Sequence, residues 1–211
     1  MGEYVKIFPT TIGRFYNDDH EQTKEVIRNI VTSSHYEENI EGPARHFFES
    51  KLDALDQPGL ESLKEFVINC ANDYAHDVYG IDRNIIITGS WINQTSAGFT
   101  QKVHNHGNSY FSGTYYVNYD PDFHSAIDFY KDVEKKSNMP FIYQNPNVYN
   151  EYNCKGWRMQ DLKEGELVIW PSHLEHGYDP NKGDHRVSIS MNFMPEYLDN
   201  GSYTFKVSKN D

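Results

Sequence analysis

Basic residues are scarce in this chain, and that scarcity bears on the partners it can have. The 211 residues contain 19 Lys and Arg against 31 Asp and Glu, which gives a formal net charge of -12 at pH 7. Proteins that bind nucleic acids neutralise phosphates with clustered Lys and Arg, and the densest basic stretch here is only "KDVEKK". DNA or RNA is therefore not expected as a partner.

Long apolar runs and cysteines are also lacking. No stretch approaches the roughly 20 apolar residues of a membrane span, and "MGEYVKIFPTTIG" lacks the apolar segment of a secretory signal. No membrane association is expected. Cys70 and Cys154 lie far apart, and Cys70 falls in an apolar helical pattern typical of a core residue. A disulfide framework is not predicted, and a reducing, cytoplasmic setting is expected.

Aromatic residues, by contrast, are abundant. The chain contains 16 Tyr and 12 Phe, and aromatics make up 15% of it. This composition favours a β-rich protein with Tyr-lined surfaces or pockets. Typical domains contain roughly 100–200 residues, so a single domain over 1–211 with one substantial core is expected.

The first part of the chain, 1–83, is predicted to be a strand followed by helices. The stretch "VKIFPTTIGRFY" is β-like and contains a proline, which suits an edge strand. Both "HEQTKEVIRNIVTS" and "GLESLKEFVINCANDYAHDVYG" have apolar residues at helical spacing. Gly80 is the predicted stop of the second helix.

From residue 84 onward the period changes to that of short strands. The strand-like pieces are rich in aromatic and β-branched residues and are separated by turn residues: "NIIITGSWINQT", "FTQKVHNH", "YFSGTYYVNY", "AIDFYKDV", "WRMQDL", "GELVIWP", "HRVSISMNF" and "SYTFKV". The chain is thus predicted to be mainly β with N-terminal helices (α+β), a sandwich or barrel with helices on one face. The Asn-, Tyr- and Pro-rich segment 131–156 is predicted to be a long loop, where specificity is often determined.

Two histidines, His104 and His106, stand two residues apart on a predicted strand. Side chains at i and i+2 of a strand point the same way, and imidazole is the commonest side-chain metal ligand. His173 and His176, which follow the apolar strand "ELVIWP", are candidates for a third ligand. The alternative interpretation is a chance pair of solvated histidines in a chain with 10 His.

The stretch "HRVSISMNF" alternates polar and apolar residues almost perfectly. One face carries Arg186, Ser188, Ser190 and Asn192, and the other is apolar. If the apolar face packs under helices, the polar face lines the interior, where an arginine requires an anion. A guanidinium suits a carboxylate in a bidentate pair. The alternative is a half-exposed strand with its polar face in water.

Taken in order, "HNH", "SGTYYV", "GELVIWPSHLEHGYDPN" and "HRVSISMNF" resemble the 2-oxoglutarate- and iron(II)-dependent oxygenases. More narrowly, the chain is similar to an uncharacterised bacterial and phage subgroup with a His-x-His…Ser-Gly-x-Tyr-Tyr…Pro-Ser-x-x-x-His…Arg-x-Ser pattern. The resemblance covers about 84–195. It implies a double-stranded β-helix, a jelly-roll or cupin-like barrel, over 84–211, with 1–83 as a strand and helical support on one face.

The resemblance implies an iron(II) centre held by histidines. His104 and His106 stand at the positions of the paired ligands, and His176 stands at that of the distal ligand, ten residues before Arg186. Most of the superfamily has a carboxylate where His106 stands, so this centre would have three neutral ligands. Three histidines also occur in catalytic zinc sites. In a variant interpretation, His106 does not touch the metal and water completes the set.

The resemblance also implies a 2-oxoglutarate site. Arg186 would bind the far carboxylate of 2-oxoglutarate, with Ser188 beside it on the same face. Tyr116 would help to hold that carboxylate, and Asn93 would contact the other end. For Tyr116 and Asn93 the alternative is simple packing. The implied cofactors are Fe(II), 2-oxoglutarate as co-substrate and O2.

The implied activity is a dioxygenase that hydroxylates a C–H bond and releases succinate and CO2. The first candidate substrate is a prolyl or other peptide side chain, followed by a free amino acid or small metabolite; the acidic composition disfavours a nucleobase. One alternative is a cupin-like zinc or manganese enzyme without 2-oxoglutarate, and another is a non-catalytic metal-binding module. The sequence leaves the oligomeric state open, with a homodimer among the options.

Overall fold

Two α-helices lie in the first part of the chain, before residue 84, as their apolar periodicity predicts. They span His20–Ser33 (α1) and Glu61–Tyr79 (α2). The buried stripe of α2 includes Leu63, Val67 and Cys70 at helical spacing. Gly80 ends α2 with a left-handed backbone, φ 64°, and its N–H donates to the carbonyl of His76. Glycine adopts this conformation without steric cost, which is why it is common at this position.

The computed structural model describes residues 9–33, 36–38, 44–47, 54–130, 147 and 156–209. Within these residues the strands are, in chain order, Gly13–Tyr16 (β1), Tyr36–Glu38 (β2), Ala44–Phe47 (β3), Ile85–Thr95 (β4), Gln101–His104 (β5), Phe111–Asn118 (β6), Asp128–Tyr130 (β7), Gly156–Arg158 (β8), Glu166–Pro171 (β9), Glu175–Tyr178 (β10), Arg186–Pro195 (β11), Tyr197–Asp199 (β12) and Thr204–Lys206 (β13). A short 3-10 turn, Ala54–Asp56, precedes α2.

The strands form two main antiparallel sheets. The larger has seven strands in the order β1-β9-β6-β11-β4-β3-β2, and the smaller has four in the order β5-β10-β7-β8. The last two strands form a separate hairpin. Mainly antiparallel β structure with few helices agrees with the expected double-stranded β-helix class.

The central strands of the larger sheet are buried on both faces, and the sequence of β9 places apolar side chains on each face. Leu167 and Ile169 point into a core shared with the helices. Val168 and Trp170, the alternate residues, belong to a second cluster that includes Phe129 of the smaller sheet. A strand covered on both sides reads as a continuous apolar run rather than an alternation, which accounts for "ELVIWP".

The central strand β11 alternates in the way its sequence predicts. Val187, Ile189, Met191 and Phe193 lie in the core cluster that contains the helix residues. The opposite face therefore turns toward the smaller sheet and the space between the two sheets. The helices thus cover one face of the large sheet, and the predicted polar face lines the interior.

The structure differs from the sequence prediction in several short elements. β2, β3 and β10 lie where the sequence predicts no strand. Strands of three or four residues show too little periodicity to be recognised, and long-range pairing decides them. The segment 131–156 lies outside the described residues except for 147 and 156. Neither helix among the described residues combines the length and the apolar character of a membrane span.

Candidate active site

Three histidines converge at one end of the space between the sheets. His176 on β10 lies directly opposite His104 on β5 in the antiparallel register. His106 lies two residues beyond the end of β5 rather than on it, and its backbone N–H donates to the carbonyl of Ser172 at 3.0 Å. One ligand atom from each histidine lies within 4.8 Å of the other two. Strand alternation therefore accounts for the position of His104 but not for that of His106, which a backbone hydrogen bond positions instead.

Backbone carbonyls orient two of these imidazoles. The Nδ1 of His104 lies 2.8 Å from the carbonyl oxygen of Lys102, and that of His176 lies 2.9 Å from that of Leu174. A carbonyl only accepts, so Nδ1 carries the proton in both rings and Nε2 keeps its lone pair. This tautomer and this partner are typical of metal-binding histidines.

Burial keeps two of the histidines neutral. Together with a smaller contribution from the neighbouring imidazoles, it lowers the pKa of His176 to about 3 and that of His106 to about 4. The ring of Trp170 lies edge-on to His176 at 4.8 Å between centroids. At pH 7 these two imidazoles are therefore unprotonated, the form that binds a metal.

The donor set fits a first-row transition metal. Among the described residues, these three histidines form the one candidate metal cluster, and no carboxylate belongs to it. Imidazole nitrogens suit iron, zinc, nickel and copper better than magnesium or calcium. His173, the other candidate for the third ligand, is exposed and outside the cluster.

A cavity of about 170 Å³ extends from the histidines into the space between the sheets. A single water needs roughly 10–15 Å³ of such volume, so the cavity has room for a small organic molecule. All seven residues singled out in the sequence line it: Asn93, His104, His106, Tyr116, His176, Arg186 and Ser188. They come from both sheets.

Arg186 carries the positive charge of this cavity. It is 2% exposed, and its Nε has no hydrogen-bond partner. Its closest polar contact, from Nη1 to Oγ of Ser188, is 3.5 Å long. None of the ion pairs among the described residues involves Arg186. A buried charge without a counter-charge costs several kcal/mol, and an anion in the cavity would offset that cost.

Tyrosine side chains surround this guanidinium. Its Cζ lies 4.3 Å from the ring centroid of Tyr178 and 5.3 Å from that of Tyr116. The hydroxyl of Tyr116 is fully buried and has no hydrogen-bond partner. Burial raises the pKa of Tyr116 although the nearby Arg186 lowers it, so the neutral phenol remains available as a donor.

Asn93 lies on the adjoining wall of the cavity. Its Nδ2 donates to Oγ of Ser190 at 2.9 Å, and that hydroxyl lies 3.3 Å from Oγ1 of Thr114. The amide is therefore held by the wall, while its second N–H and its carbonyl remain for a ligand.

The cavity is also lined by residues that were not predicted from the sequence, among them Tyr178 and Trp170. Tyr178 stands two residues after His176 on β10, and the strand itself was not recognised. Trp170 was read as part of an apolar strand, yet its buried Nε1 has no partner and its ring lines the cavity. An i, i+2 pairing with His176 would have identified Tyr178 once β10 was known.

A family model described as a putative 2OG-Fe(II) oxygenase matches residues 89–192. The matched range contains all seven singled-out residues. This chain belongs to the 2-oxoglutarate- and iron(II)-dependent oxygenase superfamily. It is an oxygenase whose cofactors are those of the superfamily, iron(II), 2-oxoglutarate and O2. A search of curated proteins found no match.

Solved structures share the fold of this oxygenase at low identity. The epimerase SnoN from nogalamycin biosynthesis has a TM-score of 0.65 and 9% identity over 95% of this chain and 87% of that one. HygX from Streptomyces hygroscopicus, with nickel, 2-oxoglutarate and hygromycin B bound, has 0.61 and 10% over 88% and 83%. A prolyl-4-hydroxylase from Pseudomonas putida has 0.61 and 9% over 88% and 93%.

Proposed function

We propose that this oxygenase hydroxylates a C–H bond of its substrate while 2-oxoglutarate is converted to succinate and CO2. The observation that carries the proposal is a buried Arg186 without a carboxylate partner in the same cavity as three converging histidines. A metal centre alone would account for the histidines. Only an anionic ligand accounts for the arginine as well.

In this proposal, His104, His106 and His176 hold the iron. The Nε2 lone pairs of His104 and His176 are free because the Nδ1 atoms of these two rings donate to backbone carbonyls. Bound iron(II), 2-oxoglutarate and O2 supply the oxidising chemistry. The chain itself contributes fixed ligand directions, since two imidazoles stand on paired strands.

Arg186, Ser188 and Tyr116 bind the far carboxylate of 2-oxoglutarate. Each has hydrogen-bonding capacity directed at the cavity: an unpartnered Nε, a hydroxyl and an unpartnered phenol. Asn93, the residue opposite Ser188 in the pairing of β4 with β11, contacts the other end of the co-substrate from the adjoining wall. When the dianion 2-oxoglutarate binds, its far carboxylate gives the buried guanidinium of Arg186 a counter-charge, which favours binding in one orientation.

Aromatic rings shield one side of the centre. Trp170 and Phe129 pack around His176, at 4.8 and 6.4 Å between ring centroids. This packing helps to hold the substrate C–H in the productive position, where a displacement of ~1 Å can cost ~100-fold in rate.

The proposed substrate is a prolyl or other peptide side chain. A prolyl-4-hydroxylase and a prolyl hydroxylase in complex with a peptide fragment share this fold. A small molecule is the second candidate, because HygX, with hygromycin B bound, is equally similar. A reducing, cytoplasmic setting completes the proposal, and the buried thiol of Cys70 is consistent with it.

The experiment that tests the proposal is an anaerobic titration of the Fe(II)-loaded protein with 2-oxoglutarate, followed by visible absorption. Chelation produces a charge-transfer band in the wild type. Arg186→Ala should retain iron but bind 2-oxoglutarate about 10- to 100-fold more weakly, because it loses charged hydrogen bonds. Arg83→Ala, which removes an exposed arginine paired with Asp199, is the matched control and should behave as the wild type.

The alternatives give different results. A zinc or manganese enzyme without an oxo-acid co-substrate would bind metal but show no response to 2-oxoglutarate in either protein. Equal 2-oxoglutarate affinities in wild type and Arg186→Ala would refute the assigned role of Arg186.

A further inference from the structure

The guanidinium of Arg186 depends on aromatic contacts for its orientation. Its one side-chain hydrogen bond, to Ser188, is 3.5 Å long and correspondingly weak. The ring of Tyr178 lies 4.3 Å from its Cζ, closer than the ring of Tyr116 at 5.3 Å. A guanidinium is planar and weakly hydrated, and it stacks on aromatic faces. The contact with Tyr178 is therefore the main restraint on this side chain before a ligand binds.

Tyr178 is itself held in place from behind. Its hydroxyl lies near the side chain of Thr95, and Oγ1 of Thr95 accepts a hydrogen bond of 3.0 Å from Asn181. Thr95 is also the residue opposite Arg186 in the pairing of β4 with β11. Phe99 packs beside Tyr178 at 6.1 Å between ring centroids. The tyrosine ring is thus held beside the end of β4, the neighbour of the strand that carries the arginine.

Strand β10 connects the contact between Tyr178 and Arg186 with the histidine cluster. His176 and Tyr178 alternate on β10 and both line the cavity. Gly177 between them faces the neighbouring strand, where a Cβ would come within 2.6 Å of the carbonyl oxygen of Gln101. Strand β10 can therefore pack closely on β5 with both functional side chains turned inward.

We propose that Tyr178 is a positioning residue for 2-oxoglutarate, which acts by holding the guanidinium plane of Arg186 toward the far carboxylate of the co-substrate. The proposal rests on the proposed function, because it requires that Arg186 bind 2-oxoglutarate. Tyr178 makes no hydrogen bond to the carboxylate itself. Its effect is confined to ligands that reach Arg186.

The test measures ligand binding by calorimetry in the nickel-loaded protein, which has no turnover. Two ligands are compared: 2-oxoglutarate, and 2-oxopentanoate, which has the same chain length without the far carboxylate. Tyr178→Leu should bind 2-oxoglutarate about tenfold more weakly and 2-oxopentanoate as tightly as the wild type. Tyr178→Phe keeps the ring and should stay within about threefold of the wild type for both ligands.

Two further variants separate positioning from general packing. Phe99→Leu disturbs the neighbourhood of Tyr178 without touching Arg186 and should keep the wild-type preference for 2-oxoglutarate. Tyr178→Met, whose flexible side chain fills the space, replaces Tyr178→Leu if the latter does not bind nickel, and it should show the same tenfold selective loss.

Equal weakening of both ligands in the Tyr178 variants, or no weakening of either, would overturn this inference. So would a Phe99→Leu variant that reproduces the selective loss. Arg186→Ala serves as the reference. If it abolishes the preference for 2-oxoglutarate while Tyr178→Leu retains it, only the role of Tyr178 fails. If Arg186→Ala itself retains the preference, the proposed function of the site fails first.

Discussion

At the scale of single residues, the site is distinguished by buried polar atoms that have no hydrogen-bond partner among the described residues. The Nε of Arg186, the hydroxyl of Tyr116 and the Nε1 of Trp170 are all buried without a hydrogen-bond partner. Natural proteins leave few such groups, because each costs about 1–3 kcal/mol. Their concentration around one cavity indicates a ligand that completes them.

The third metal ligand can be tested with a matched pair of histidine variants. His176→Ala removes a buried imidazole from the cluster, whereas His173→Ala removes an exposed one three residues away. We expect His176→Ala to weaken iron(II) or nickel binding by more than tenfold, since even outer contacts of a metal site are worth about 10–100-fold. His173→Ala should leave it unchanged. Calorimetric metal titration distinguishes the two, and equal affinities would exclude His176 as a ligand.

At the scale of elements, two short paired strands position two of the three histidines of the site. Strands β5 and β10 have four residues each, yet their register places His104 opposite His176. Strand β11 has ten residues and supplies Arg186 and Ser188 from its polar face. The two sheets bring these strands together, so the site lies where no single element could form it.

The end of α2 allows a stability prediction. Gly80 has φ 64° and an added Cβ would meet no atom within 4 Å, so Gly80→Ala should cost about 1 kcal/mol through backbone strain alone. Gly89→Ala is the control, because that glycine also has open space but no positive φ, and it should not be destabilised by strain. Urea unfolding measures both. Equal stability of Gly80→Ala and wild type would contradict a strained cap.

At the scale of the whole molecule, two cores on opposite faces of one sheet hold the fold together. The helices cover one face, and the smaller sheet covers the other. A net charge of -12 adds repulsion that salt screens. Within this framework, buried titratable groups outside the active site link the stability of the fold to pH.

His20 is such a group. It is 3% exposed, its Nδ1 lies 2.8 Å from the hydroxyl of Tyr115, and its Nε2 has no hydrogen-bond partner. Burial lowers its pKa, although Glu164 partly offsets this and Lys24 adds to it. The unfolded chain therefore binds a proton at His20 more readily than the native chain does below pH ~6.5. Stability from this residue is present above that pH and is lost as the pH falls.

The expected slope is at most ~1.4 kcal/mol per pH unit for one such group. His20→Gln, which keeps a neutral polar side chain, should show a smaller loss of unfolding free energy between pH 7 and pH 5 than the wild type. Urea unfolding at several pH values gives both slopes. The active-site histidines contribute equally to the two proteins, so identical slopes would show that His20 has no such effect.

Local periodicity accounts for what the sequence predicted correctly. The helical stripes of α1 and α2 and the alternation of β11 depend on neighbours three, four or two residues away, and these patterns are complete in the sequence. Spacing and alternation also singled out the candidate histidines and Arg186, and the resemblance to the oxygenases then assigned their roles. Periodicity failed at β10, because "EHGY" has no apolar alternation and is a strand only through its pairing with β5 and β7.

The sequence by itself determined the faces of the long elements and the candidate residues of the site. Only the tertiary structure decided that His176 lies opposite His104, that His106 is held from outside its strand, and that Tyr178 covers Arg186. It also decided that no described carboxylate reaches Arg186. These features join residues far apart in the chain, and they depend on register and sheet packing, which local sequence patterns do not encode.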